Sequence, residues 1–243
     1  FDRLLGREAA RIVDLAFHLP AGVIDRRLVP SLAEAPIGPI TSVKVRVESH
    51  RPPPPGRARA PFRVLTGDAT GDLTLVFFKT FAGQIEKTFP IGAERIVSGV
   101  IDLYDGMRQM THPDRMLPVS EAERLPAFEP VYPLTEGLSS RRVQSAVQAA
   151  FERLPALPEW LDPALVAQRG WPAFREALFD LHHPGDEQAL DPARASLQRL
   201  AYDELLASQL ALVLMRRRMK AASGRATLGE GARLAALRAA LPY

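Results

Sequence analysis

The chain has 243 residues, of which 47% are hydrophobic and 24% charged, the balance of a folded globular protein rather than a disordered one. It has no cysteine, which excludes a disulfide scaffold, a thiolate zinc site and a cysteine nucleophile. The 31 basic residues outnumber the 28 acidic ones by three, a mild excess that argues only weakly for an anionic partner.

Nothing in the sequence approaches the roughly 18 unbroken apolar residues of a membrane-spanning helix. The opening segment FDRLLGREAARIVDLAF is charged throughout and is no signal peptide. It lacks an initiator Met, so the chain is expected to begin inside a longer protein. Residues 4–17 place Leu4, Leu5, Ala9, Ile12, Val13, Ala16 and Phe17 at helical spacing. Pro20 and Gly22 end that helix, and a loop with Pro30, Pro36, Gly38 and Pro39 follows.

From Ile40 to about His112 the period changes to two. Val43, Val45 and Val47 alternate with Lys44, Arg46 and Glu48, which predicts a strand with one apolar and one basic face. RPPPPGRARAP is an exposed Pro-rich loop. FRVLTGD and LTLVFFK are two more strands, joined by a hairpin at DATGDL in which Gly71 is expected to supply a positive φ. Phe81, Ile85 and Phe89, four apart, suit a short helix. ERIVSGVIDLYDG and MRQMTHP form a last hairpin around Asp105 and Gly106. Five short strands with a helix between the third and fourth is the plan of an OB-fold barrel, though other small barrels share it.

After residue 118 the chain turns Pro-rich, then helical. FEPVYPLTEGLSS is an irregular connection. Ser140 is expected to cap a helix carrying Val143, Val147, Ala150, Phe151 and Leu154. Asp162-Pro163 and Asp191-Pro192 open two later helices, Asp as the N-cap and Pro in the first turn. The second would run from Pro192 to about Ala222, a length of about 46 Å, with Gly224 as its stop. The expected class is therefore α+β: a five-stranded OB-fold β-barrel, a short N-terminal helical segment, and a C-terminal all-helical region with one long helix.

The densest patch of one sign lies at residues 44–63, where Lys44, Arg46, Arg51, Arg57, Arg59 and Arg63 face Glu48 alone. It reads either as a phosphate-contacting surface, since backbone charge dominates nucleic-acid affinity, or as a solvated basic strand and loop.

Six stretches taken together carry a resemblance: HLPAGVIDRR (18–27), GDATGDLTLVFFK (67–79), GMRQMTHPD (106–114), PVYPLTEGLS (130–139), LHHP (181–184) and RLAYDELLASQLAL (199–212). In this order and spacing they resemble the N-terminal half of the RecG family of branched-DNA helicases, over nearly the whole chain. The resemblance implies a partial N-terminal helical segment and connection at 1–39 and an OB-fold wedge that grips branched DNA at 40–118. It implies a helical linker at 119–222 and the start of a helicase motor at 223–243. It further implies remodelling of stalled replication forks and branch migration of Holliday junctions in DNA repair and recombination, with ATP and Mg²⁺ serving the motor. A bacterial cytoplasmic, nucleoid-associated monomer is expected, and single-stranded-DNA-binding protein is a further implied partner. The sequence departs from the whole family in lacking a G-x-x-x-x-G-K-[ST] phosphate loop. GRATLGEG (224–231) has the glycines but no Lys-Thr pair, so the chain alone is expected to be catalytically inactive and to hold no cofactor or metal.

Adjacent aromatics on a strand point to opposite faces. Leu73 and Leu75 share their face with Phe77, so Phe77 is expected inside and Phe78 outside, where it can stack on a base. An isolated pair of phenylalanines is most simply core packing; the resemblance places the wedge at both Phe77 and Phe78. Lys79 follows directly and suits a phosphate. Lys44, Arg46 and Arg63 lie on predicted barrel strands and Arg108 in the last hairpin, as a basic groove along a nucleic-acid backbone requires. Arg51, Arg57 and Arg59 flank the tetraproline loop without a definite placement, and Tyr104 is a weaker stacking candidate at the hairpin tip. His112 reads as a hydrogen-bonded turn residue, and His182 and His183 have no third ligand spaced for a metal. Arg216, Arg217 and Arg218 read as a solvated or interdomain face. The competing functions are a general single-stranded-nucleic-acid-binding OB module and a protein-interaction scaffold whose barrel binds peptide.

Overall fold

In the computed structural model, residues 1–54, 60–79, 82–221, 224 and 231–242 are described. Arg57, Arg59, Phe81 and Ala222, each named by the sequence, lie outside the described residues. The chain forms two units, Phe1–Leu200 and Ala201–Tyr243.

The period-two stretch folds as expected. Strand β2 (Ile40–Arg51) buries Val43, Val45 and Val47, each 1% exposed, and turns Lys44, Arg46 and Glu48 to solvent. It pairs antiparallel with β3 (Phe62–Asp68), which pairs antiparallel with β4 (Gly71–Phe77). Helix α3 (Ala82–Thr88) separates β4 from β5 (Glu94–Tyr104), which turns back into β6 (Met107–Thr111). β6 pairs parallel with β4, and β5 pairs with β2. Those two pairings close five strands into a barrel with the strand order of an OB fold. Closure removes the sheet edges that would otherwise expose unpaired backbone groups. Ile85 and Phe89 of the α3 segment join the barrel core, and Leu32 and Ala35 pack into it as well.

The two hairpins use different chemistry. At β5–β6, Asp105 and Gly106 both have positive φ, 53° and 74°, the signature of a type I′ turn. At β3–β4 the expected positive φ at Gly71 is absent. Asp68 makes that turn instead, its carboxylate accepting from the Thr70 N–H (2.7 Å), the Thr70 hydroxyl (2.6 Å) and the Gly71 N–H (3.1 Å). It also accepts from the Leu32 N–H at 2.7 Å, which fastens the 28–35 segment over the same end of the barrel.

After β6 the chain steps sideways at His112 and Pro113 and resumes as β7 (Arg115–Pro118), pairing with β5 beyond the end of β6. The crossing is tight: a Cβ on Gly99 would lie 3.0 Å from Met110 Sδ and 3.4 Å from Pro113 Cα. A side chain at position 99 would therefore push Met110 aside where β5 passes beneath the step.

A second layer packs beside the barrel. It contains a two-stranded sheet, β1 (Gly22–Asp25) with β8 (Phe128–Val131), that the sequence reading left as loop and irregular connection. The helix expected over residues 4–17 is two short ones, α1 (Asp2–Leu5) and α2 (Ile12–Ala16). Gly6, at φ 61°, ends the first, and the Asp2 carboxylate reaches forward to accept the Ala10 N–H at 2.7 Å. Helix α4 (Ser140–Arg153) is capped by Ser139, not Ser140, whose hydroxyl accepts from the Arg142 N–H. α5 (Pro163–Arg169) opens on the expected Asp162 cap. Val143, Val147, Phe151 and Tyr132 pack with Ala16 of α2 and Leu178 of α6 (Phe174–His182).

Helix α7 (Ala195–Ala221) begins three residues later than expected from Pro192, because Asp191 first holds a turn through Ala193 and Arg194. Within the first unit, Arg199 of α7 is fully buried and donates twice to Glu159, both at 2.8 Å. That hydrogen bonding holds the Glu159 carboxyl down at about 2. The second unit comprises the rest of α7 and α8 (Ala232–Ala240). None of the described helices is long and apolar enough to cross a membrane.

A buried ionic network joins barrel and second layer. Glu129 of β8, 4% exposed, accepts from Arg26, Arg115 and the Gln144 side chain (2.7 Å). Arg26, also 4% exposed, donates to Ser98 Oγ of β5 at 2.8 Å, and Ser42 of β2 donates to the same oxygen at 2.8 Å. Burial alone would raise the Glu129 carboxyl, but the Gln144 hydrogen bond and the Arg26 and Arg115 charges bring it below its ordinary value. Glu129→Leu is expected to cost about 3–5 kcal/mol in denaturant unfolding, since buried Arg26 loses its closest carboxylate and keeps only the half-exposed Asp114 at 3.6 Å. The double variant Arg26→Met with Glu129→Leu should recover most of that loss, because the uncompensated charge goes with it.

His182 supplies a second test. Its ring lies 3% exposed between Tyr132, whose hydroxyl is 2.8 Å from Nδ1, and the Ala16 carbonyl, 2.9 Å from Nε2. This geometry fits a neutral imidazole that accepts from Tyr132 and donates to Ala16. Burial pulls its pKa down to about 4. The unfolded chain then binds the proton first, so stability is complete above the ordinary histidine value of about 6.5 and is lost on acidification toward 4. Unfolding free energy is expected to fall by about 2 kcal/mol between pH 7.5 and 5. The same measurement on His182→Gln should show a flatter dependence over that range.

Candidate nucleic-acid interface

The two phenylalanines part as the strand period requires. Phe77 ends β4 inside the barrel, 3% exposed, with its ring 5.7 Å from Phe89. Phe78 lies just past the strand and is 43% exposed. Its N–H is directed to His112 Nε2 at 3.1 Å. Lys79 comes next, exposed and at φ 54°. A lysine rarely holds that left-handed conformation, so the chain turns sharply immediately after the exposed ring.

Cross-strand register decides which basic residues accompany Phe78. Arg63 of β3 pairs with Val76 of β4 on one side and Arg51 of β2 on the other. Arg51 and Arg63 are both exposed and sit directly opposite each other. Like charges in that arrangement repel. Neither belongs to an ion pair among the described residues. A surface that sets two arginines side by side, unneutralised, and next to an exposed aromatic is chemically suited to an anion with a π-face, which is what a nucleotide is. Arg51 is one of three arginines, with Arg57 and Arg59, that the sequence leaves without a definite placement. The signal was available only in the pairing, because a bulge between Val47 and Ser49 shifts the register and puts Arg51 rather than His50 opposite Arg63.

The other sequence-predicted contacts lie elsewhere. Arg46 pairs with Gly67 and Glu94, and Lys44 pairs with Ile96. Both are exposed on the outer face of β2, but Arg46 lies about 15 Å along the strand from Arg51. Lys44 also meets Glu94 at 3.4 Å, an exposed pair worth little to stability. Arg108 shares the face of Met110, which is fully buried in the barrel, so its side chain lies along the barrel wall near the hairpin end. Its Nη1 is enclosed with no hydrogen-bond partner among the described residues. Tyr104, 63% exposed, pairs with Met107 at the hairpin tip, about 13 Å along β6 from the Thr111 that faces Val76. Phe78, Lys79, Arg63 and Arg51 thus gather at one end of the barrel; Tyr104 lies at the other, and Arg46, opposite Glu94 at the start of β5, lies midway along β2. A cleft of about 720 Å³ between β8 and α4 is lined by none of these residues.

No family model matches the chain. It is 31% identical over 221 residues to the ATP-dependent DNA helicase RecG of Acidithiobacillus ferridurans, covering 88% of this chain and 31% of the relative. It is 28% identical over 222 residues to the ATP-dependent DNA helicase RecG of Aquifex aeolicus, covering 86% of this chain and 28% of that one. A solved structure described as RecG bound to a three-way DNA junction superposes with a TM-score of 0.65 at 22% identity, over 97% of this chain and 32% of that one. The chain therefore spans about a third of the length of the relatives it matches.

The opposed arginines make a prediction that needs no ligand. Arg51→Glu replaces repulsion across the β2–β3 pair with attraction and should stabilise the chain by about 0.2–1 kcal/mol in low salt. Thermal unfolding of the variant beside the parent protein checks it; a loss of stability would mean that Arg51 is neutralised by a neighbour.

Proposed function

We propose that this chain, which belongs to the RecG family, is the DNA-recognising part of an ATP-dependent helicase that acts on branched DNA. In the whole protein it would serve the remodelling of stalled replication forks and the branch migration of Holliday junctions. The observation that carries this reading is the exposed Phe78, held at the end of a closed strand beside Lys79 and the opposed Arg51 and Arg63. The three cations supply affinity for phosphate without regard to sequence. The aromatic face replaces the stacking partner that a base loses where two duplex arms separate. A rigid barrel behind the ring makes the separation steric: strands drawn past Phe78 cannot re-pair through it.

ATP hydrolysis is assigned to the remainder of a whole protein, with ATP and Mg²⁺ as its requirements, because no phosphate loop occurs in this sequence. Residues 40–118 act as the wedge and the helical segments after them as the connection to a motor. Phe78, Lys79 and Arg63 are its principal DNA contacts. Lys44 and Arg46 extend the basic face of β2, while Phe77 and Arg108 support the barrel wall from within. A monomer in the bacterial cytoplasm, associated with the nucleoid and able to meet single-stranded-DNA-binding protein, completes the reading.

A binding titration at two salt concentrations tests it, with a three-way fork, a four-way junction, plain duplex and single strand. Forks and junctions are expected to bind best, and all binding should weaken with salt. Phe78→Ala should lower the preference for branched DNA by about 1–3 kcal/mol and leave duplex affinity nearly unchanged. Arg63→Glu should weaken every substrate alike and reduce the salt slope. Single strand bound as well as any fork would identify a general single-strand module instead; no binding by any DNA would favour a peptide-binding scaffold.

A further inference from the structure

Phe78 lies beyond the last paired residue of β4, where an exposed side chain has no ladder to hold it. Phe77 pairs with Phe62, and β6 leaves β4 after Thr111. The N–H of Phe78 would then face solvent, and its ring would move with the backbone. His112 prevents this. Its N–H donates to the Val76 carbonyl at 2.9 Å, and its Nε2 accepts the Phe78 N–H at 3.1 Å. Backbone and side chain of one residue thus bind β4 on both sides of Phe77. The ring also fills the angle between the two phenylalanines. It meets Phe77 edge-on at 6.0 Å and 89° and lies tilted against Phe78 at 6.0 Å and 38°.

The backbone of His112 is adapted to the same task. At φ 48° it is left-handed, a conformation in which histidine is one of the few tolerated side chains. Pro113 follows, and its fixed φ and missing N–H force the step into β7. The strained turn swings the imidazole back over β4 instead of outward.

We propose that His112 is the positioning residue for Phe78: it extends the strand by one side-chain hydrogen bond and holds the exposed ring at a fixed angle for stacking on a base. The hydrogen bond requires a neutral imidazole with its proton on Nδ1. The proposal rests on the reading of Phe78 as the stacking residue, but the holding of Phe78 is measurable without DNA.

Three variants of the full chain separate the elements. His112→Phe keeps a ring and loses the acceptor; His112→Gln keeps an acceptor near the Nε2 position and loses the ring; Phe78→Ala removes the ring being held. Amide hydrogen exchange at Phe78 is the first readout. Protection should fall about tenfold or more in His112→Phe and largely survive in His112→Gln, with the rest of β4 unchanged as a check on folding. The second readout is the ratio of fork to single-strand affinity. His112→Phe should lower it on the order of tenfold, approaching Phe78→Ala, and the double variant should be no worse than Phe78→Ala alone. Unchanged protection of the Phe78 amide in His112→Phe would overturn the proposal, as would losses that add in the double variant. If Phe78→Ala leaves the ratio intact while the exchange result holds, the stacking reading of Phe78 fails and the anchoring by His112 stands.

Discussion

The structure of the first unit depends on the carboxylate of Glu129. It is the point where barrel, two-stranded sheet and helical layer meet, and it receives Arg26, Arg115 and Gln144 at once. Burying one guanidinium group, part of a second and a carboxylate is unfavourable unless each donor is directed. Here the direction is supplied twice over, because Arg26 also reaches Ser98, which is itself held by Ser42. Apolar contacts alone would let the two layers slide. A network of oriented hydrogen bonds in a low-dielectric interior admits one arrangement. The barrel is therefore presented at a fixed angle to the helices beside it, as the proposed steric role would require and a flexible tether would not provide.

The barrel makes its own end. Closure through the parallel β4–β6 pair means that both strands run the same way and expire at the same rim. At that rim the chain leaves the ladder at Phe78 and at His112 together; the Phe78 N–H donates to the His112 ring and the His112 N–H to the Val76 carbonyl. The positive φ at Lys79 and at His112 marks the two exits. Strain of this kind persists where surrounding structure fixes it, and it gathers at working surfaces. Here the closed barrel fixes it from below and Pro113 from the side.

Much of this was legible in the sequence, for identifiable reasons. The barrel announced itself through Val43, Val45 and Val47, because a strand with one wet face must alternate. The opposite fates of Phe77 and Phe78 followed from the same period, once Leu73 and Leu75 fixed which face was inside. The Asp162 cap was readable because its chemistry is local. The β1–β8 pair was not, since four-residue strands more than a hundred residues apart carry almost no periodicity of their own. Gly71 misled for a related reason: glycine is the usual source of a turn, but Asp68 had the better oxygen for it. Arg51 and His112 were visible as residues and not as partners. Their roles come from register, one through a bulge and one through a step between strands, and register is a property of two strands together.

The placement of the charges bears on how affinity and selectivity divide. Arg46 and Arg51 lie about 15 Å apart on one strand, roughly four base steps of duplex at 3.4 Å each. A row of that length can follow a phosphate backbone but cannot tell a fork from a continuous duplex, because both present the same charge. Salt screens this contribution, with a Debye length of about 8–10 Å at ordinary ionic strength. Stacking on Phe78 needs an exposed base face, which a continuous duplex does not offer, and it depends little on salt. In the proposed complex the two contributions would therefore respond to different features of the same DNA. On the proposed reading, having Arg51 and Arg63 at the Phe78 rim, and not only Arg46 farther back along β2, would let charge and stacking act on one point of the strand. On that reading selectivity would come from where the aromatic ring sits relative to the charges, a relation that the closed barrel keeps constant.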